Sequence, residues 1–178
     1  MEFSLEGSGQ ILARTPRLLR TLLEGLPDNL VHANYGPGTW SVHEVVGHLI
    51  HSELTDWMPR TRLIMEQGEA VTFEAFDRAG HTTLCREKTL GELLDRFATL
   101  RDANLAELRS LALTPTDLAR RGRHPAFGPV TLSQLLTTWV AHDLNHIAQI
   151  CKALAFQHLH DVGPWKAYLS ILAPPSPR

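Results

Sequence analysis

Val140-Ala141-His142-Asp143-Leu144-Asn145-His146-Ile147-Ala148-Gln149-Ile150 closes a long apolar-periodic segment and sets two imidazoles four residues apart. On an α-helix four residues advance the chain by about 400° of rotation and roughly 6 Å of rise, so His142 and His146 lie one above the other. Such a pair can grip one metal ion. With ten histidines in 178 residues, however, the spacing alone decides nothing, and a third ligand from a facing element is required.

Working outward, Thr131-Leu132-Ser133-Gln134 has the form of a capping box, in which a hydroxyl and a carboxylate or amide satisfy each other's backbone amides at a helix start. The helix it opens carries Leu132, Leu135, Leu136, Trp139, Val140, Ile147, Ile150, Cys151 and Leu154 along one side with the two histidines. Two further boxes precede it. Ser41-Val42-His43-Glu44 starts a segment with Val45, Val46, Leu49, Ile50, Leu54, Trp57 and Met58, which Pro59 is expected to kink before it ends near Gly68. Thr89-Leu90-Gly91-Glu92 starts another, with Leu93, Leu94, Phe97, Leu100, Leu105 and Leu108, ending near Leu111 to Leu113. Gln10 to Leu26 has helical spacing too, with a restart expected at Thr15-Pro16.

Between these segments the chain is punctuated. Residues 27–39 and the Arg120 to Pro129 stretch, rich in Gly and Pro, are expected to be loops, and Thr114-Pro115-Thr116-Asp117 a short capped turn. Residues 69–88 form a long connection without sustained periodicity, a length that often covers a site. Trp165 to Leu172 is expected as a short final helix, and the proline-rich tail, residues 173–178, as loose. Four long amphipathic segments without a convincing strand pattern predict an all-α four-helix bundle, one domain over residues 1–178.

Composition narrows the function classes. Seventeen basic and 19 acidic residues give a formal charge of -2 without a block of either sign, which argues against nucleic acid or a membrane surface as partner. The two cysteines, Cys85 and Cys151, are far apart and form no CxxC, so neither a disulfide framework nor a thiolate zinc site is expected. The acidic start of the chain and the lack of a ~20-residue apolar run fit a cytoplasmic protein.

The face shared by His142 and His146 also carries Trp139, Leu135 and Gln149, so both rings are expected to point at a neighbouring helix. Buried imidazoles need hydrogen bonds or a metal. His48, at the edge of the apolar stripe of the second segment, is the most economical third ligand, and three imidazoles from two helices leave a coordination position open. His51 is expected at the surface or the pocket rim, His43 exposed, and His124 in a loop able to reach over the site. Gln149 is placed to hydrogen-bond near the metal and Glu44 to cap its helix. Asp143, about 100° away from His142, is no ligand and needs a basic partner or a helix end. Glu53 is unassigned, and Trp40 and Trp139 read as core or pocket walls.

At this point a resemblance enters. Trp40-Ser41-Val42-His43-Glu44-Val45-Val46-Gly47-His48-Leu49 resembles the W-S-x-x-E-x-x-x-H-L signature of the DinB-like superfamily, and His142 to Ile150 is similar to its H-D-x-x-H-x-x-Q-I signature. The resemblance implies a four-helix bundle with up-down-down-up connectivity, whose crossover agrees with the long connection at residues 69–88. It also implies a divalent metal, zinc or nickel, on His48, His142 and His146, and a homodimer. A metal so held can acidify water for hydrolysis or hold a thiol for attack on an electrophile. Because the superfamily includes thiol-dependent S-transferases and isomerases, a low-molecular-weight thiol is the leading expectation for an enzyme and hydrolysis of a small molecule stands beside it. The competing class is a non-enzymatic, stress-associated bundle with a structural or vestigial metal. No residue identifies a substrate, and no catalytic side chain is singled out.

Overall fold

All three capping boxes form, and they start the helices that matter. The computed structural model describes residues 4–173; the Pro174 to Arg178 part of the tail lies outside them. Ser41 accepts from the Glu44 amide while Glu44 accepts from the Ser41 amide at the head of α4 (Val42–Thr55). Thr89 with Glu92 and Thr131 with Gln134 do the same for α7 (Leu90–Ser110) and α9 (Leu132–Phe156). A fourth box, Thr114 with Asp117, opens the short α8 (Pro115–Leu118).

Two prolines divide the other long segments at places their chemistry dictates. Pro16 has no N–H to bond the carbonyl of Leu12, four residues back, and the first segment accordingly splits into α1 (Leu5–Leu12) and α2 (Thr15–Leu23). Pro59 likewise leaves Thr55 unbonded, so the second segment breaks at Asp56 and resumes as α5 (Trp57–Gln67). The expected kink is thus a full interruption. Short helices α3 (Asp28–Val31) and α6 (Gly80–Cys85) occupy stretches read as irregular, and two 3-10 turns replace the final helix.

Side-chain pairs fix the direction of each segment. His43 meets Lys88, Glu53 meets Arg101 and Asn104, and Arg62 meets Glu107, so α4–α5 and α7 run parallel. His48 faces His142 whereas Trp57 faces Trp139, so α9 is antiparallel to them. Arg101 bonds Leu12 and Arg20 pairs with Asp95, so the α1–α2 segment is antiparallel to α7. The result is a four-helix bundle in up-down-down-up order, with the crossover between α5 and α7.

The stretch before α9 also departs from expectation. Arg121–His124 and Gly128–Thr131 pair as an antiparallel hairpin, β1 and β2, where an irregular loop was expected. Gly128, at φ 70°, supplies the left-handed residue that closes the three-residue turn. The crossover adds to this hairpin, with the Phe73 amide donating to the Arg123 carbonyl at 2.9 Å. Gly122 permits the contact, since a Cβ there would lie 2.7 Å from both Ile64 and Phe73.

Two apolar clusters fill the bundle, one around Val45, Leu49, Phe97 and Ile150, the other around Trp57, Met58, Leu132 and Trp139. Arg101, fully buried, bridges them, with its guanidinium over the rings of Phe97 and Trp139. All five of its N–H donors are used: two bonds go to Glu53, two to Asp143 and one, at 2.8 Å, to the Leu12 carbonyl that Pro16 freed. Thr15, Asn104 and Trp139 donate to the same two carboxylates. Replacing Arg101 by Met would leave Glu53 and Asp143 buried without a counter-charge. Urea unfolding of Arg101→Met is expected to show a loss of about 3–5 kcal/mol; a loss under ~1 kcal/mol would contradict this role for the fork.

Candidate metal centre

The predicted trio comes together. His48 projects from α4 between core residues Val45 and Leu49, and His142 and His146 project from successive turns of α9. One nitrogen from each of the three lies within 4.8 Å of the others, and Nε2 of His48 is 3.0 Å from Nε2 of His142. Two Nε2 atoms at this distance suit an N–H···N hydrogen bond between neutral rings and, with both lone pairs turned inward, a shared cation. The Nδ1–H of His146 donates to Oε1 of Gln149 at 2.8 Å, which fixes the tautomer and leaves Nε2 with its lone pair free. Gln149, suspected from the sequence, therefore orients the third ring.

Two further observations fit a metal. Burial keeps the rings neutral: it pushes His48 down to about 3 and His142 down to about 2, in both cases reinforced by the charge of His146, and it lowers His146 as well. Neutral imidazole is the ligating form. The Nδ1 atoms of His48 and His142 are buried without a partner among the described residues, the pattern left when the Nε2 atoms are committed inward.

The trio opens into a cavity of about 510 Å³. Trp40, Trp57, Phe73 and Phe76 wall it, and Asp56, Arg60, His124 and Gln134 supply polar edges. Trp57 stands edge-on to His142 at 5.1 Å between ring centroids, Trp40 lies 4.8 Å from His48, and Phe76 lies 5.4 Å from it. Asp56 pairs with Arg60 at 2.6 Å, and burial raises its carboxyl above the usual range despite that cation.

Other sequence candidates sort as follows. His124 reaches the cavity, carried by β1 and stacked on Phe127. His51 is half-buried against Phe76, and Glu44 is spent on its cap. Asp143 and Glu53 find Arg101 as partner. His43, expected to be exposed, is buried: the strand of chain after α6 crosses it, and its Nε2–H donates to the Lys88 carbonyl at 2.8 Å. The aromatic walls Phe73 and Phe76 were not legible, because only the crossover's path over the hairpin brings them to the site.

With this geometry the family is secure. The chain belongs to the DinB superfamily, whose family model matches residues 11–150. Among its relatives is a "putative metal-dependent hydrolase" of Bacillus licheniformis, 31% identical over 145 residues that cover 78% of each chain. A protein of Oceanobacillus iheyensis with the same description is 25% identical over 149 residues, covering 77% of this chain and 80% of its own. Among solved structures, YfiT from Bacillus subtilis, described as "a probable metal-dependent hydrolase with an unusual four-helix bundle topology", superposes with a TM-score of 0.71 at 25% identity over 88% of this chain and 90% of its own.

Burial of neutral imidazoles also sets a pH dependence. Unfolded histidines take up protons near 6.5, whereas His48 and His142 in the folded protein do so only near 3 and 2. Between those values the unfolded state holds more protons, so stability falls as pH falls. Metal-free protein is expected to lose up to about 1.4 kcal/mol per pH unit for each such imidazole below pH ~6.5. Urea midpoints measured from pH 7.5 to pH 5 check this, and a constant midpoint would contradict it.

Proposed function

We propose that this chain is a metal-dependent hydrolase of small molecules that holds a divalent ion, zinc or nickel, on His48, His142 and His146. The observation that carries the reading is the convergence of three buried, neutral imidazoles at one end of an aromatic-walled cavity. Relatives described as metal-dependent hydrolases favour hydrolysis over the thiol S-transferase that would use the same ion and the same apolar walls. A purely structural metal is disfavoured, because structural zinc is closed by four protein ligands whereas three ligands beside a cavity leave a position for substrate.

A divalent ion held there supplies a Lewis acid that polarises a carbonyl and acidifies water. The chain's own residues do the rest. Gln149 keeps the His146 proton on Nδ1, and Asp143 and Glu53, fixed by Arg101, hold α9 and α4 in register. Trp40, Trp57 and Phe76 exclude bulk water and offer ring faces to an apolar substrate. A volume of about 510 Å³ lies within the range of about 300–1,000 Å³ typical of small-molecule sites. No helix among the described residues is long and apolar enough to cross a membrane. The free thiols of Cys85 and Cys151 suit the reducing cytoplasm we propose as its setting.

Purified protein is expected to bind about one divalent ion per chain, and His142→Ala and His146→Ala to lose it. Ester or amide hydrolysis across a small-molecule panel should stop on chelation and return with zinc or nickel. Unchanged metal content in both variants would sink the ligand assignment. Bound metal with turnover of an electrophile only in the presence of a thiol would favour the transferase instead.

A further inference from the structure

We infer that His81 is the outer partner of His48, accepting the Nδ1–H of that ring and thereby orienting it toward the metal. His81 sits in α6, inside the long crossover, and is only 2% exposed. Its Nδ1 lies 3.0 Å from the Arg78 carbonyl. A carbonyl can only accept, so Nδ1 carries the proton and Nε2 presents a lone pair. That Nε2 is buried and has no partner among the described residues. Burial lowers the ring's proton affinity and keeps the lone pair available.

His48 shows the complementary deficit. Its Nε2 points at His142, so in the metal-holding trio its proton resides on Nδ1, which is also buried and without a partner among the described residues. An orphaned donor and an orphaned acceptor thus belong to neighbouring rings, 6.1 Å apart between centroids and nearly perpendicular at 86°. In this assignment, a rotation of the rings brings the two nitrogens into hydrogen-bond reach. Both rings pack on Trp40, at 4.8 and 4.6 Å, which holds them in one aromatic layer. Glycines bring α6 this close: a Cβ at Gly47 would lie 2.1 Å from Cys85 Sγ, and one at Gly80 would lie 2.4 Å from the His51 ring. His81 therefore does for His48 what Gln149 does for His146, and it is a positioning residue rather than a ligand.

The assignment rests on the metal reading above, and zinc titration of the full chain against a chelating competitor separates the two. His81→Phe is expected to bind zinc about 10–100-fold more weakly at unchanged stoichiometry, whereas His81→Gln, whose amide oxygen can accept, recovers most of the affinity. Long-range proton–nitrogen spectra of the zinc-loaded wild type need no variant: they should show His81 protonated on Nδ1 and a His48 Nδ1–H protected from exchange. Equal zinc affinity in His81→Phe, or a His48 Nδ1–H that exchanges freely, would overturn this assignment alone. A wild type that binds no zinc would overturn the metal reading and this inference with it.

Discussion

Burying a guanidinium inside a helical bundle costs several kcal/mol unless every donor finds an acceptor, and Arg101 meets that condition completely. Its acceptors come from α1, α4 and α9, and it projects from α7, so one side chain ties together all four segments of the bundle. The tie fixes helix register where the site needs it: Asp143 is the neighbour of His142, and Glu53 lies little more than a turn beyond His48. Thr15 and the freed Leu12 carbonyl show the same economy, because the proline that interrupts the first segment exposes the groups that complete the fork.

The imidazole trio follows from that frame. Facing, antiparallel helices present His48 against His142 and His146, and burial keeps all three as neutral donors of lone pairs. Aromatic side chains wall the cavity into which the trio opens. Asp56 and Arg60, paired at the cavity edge, and His124, delivered by the hairpin, supply polar groups to its lining.

Much of this was legible in the residues. Reciprocal caps and apolar periodicity marked three of the four helix starts, because both are local and leave a fixed spacing. Face and spacing together named His48, His142 and His146, which the fold brings within reach of one another. What escaped depended on distant contacts. The β1–β2 hairpin lies in a Gly- and Pro-rich stretch whose pairing is stabilised by the crossover, and the burial of His43 depends on chain that crosses it from more than 40 residues away. Asp143, set aside as a ligand for its direction, pairs with Arg101, which lies on another helix and carries no sequence mark. His81 stood only as one histidine among ten, since the glycines that draw α6 onto α4 act through space.

X-ray absorption at the metal edge of the zinc-loaded protein tests the three-imidazole centre most directly. Three imidazole nitrogens at about 2.0–2.1 Å, with the remaining coordination from light oxygen scatterers, are predicted. A shell containing sulfur, or one built from oxygen without imidazole, would contradict it.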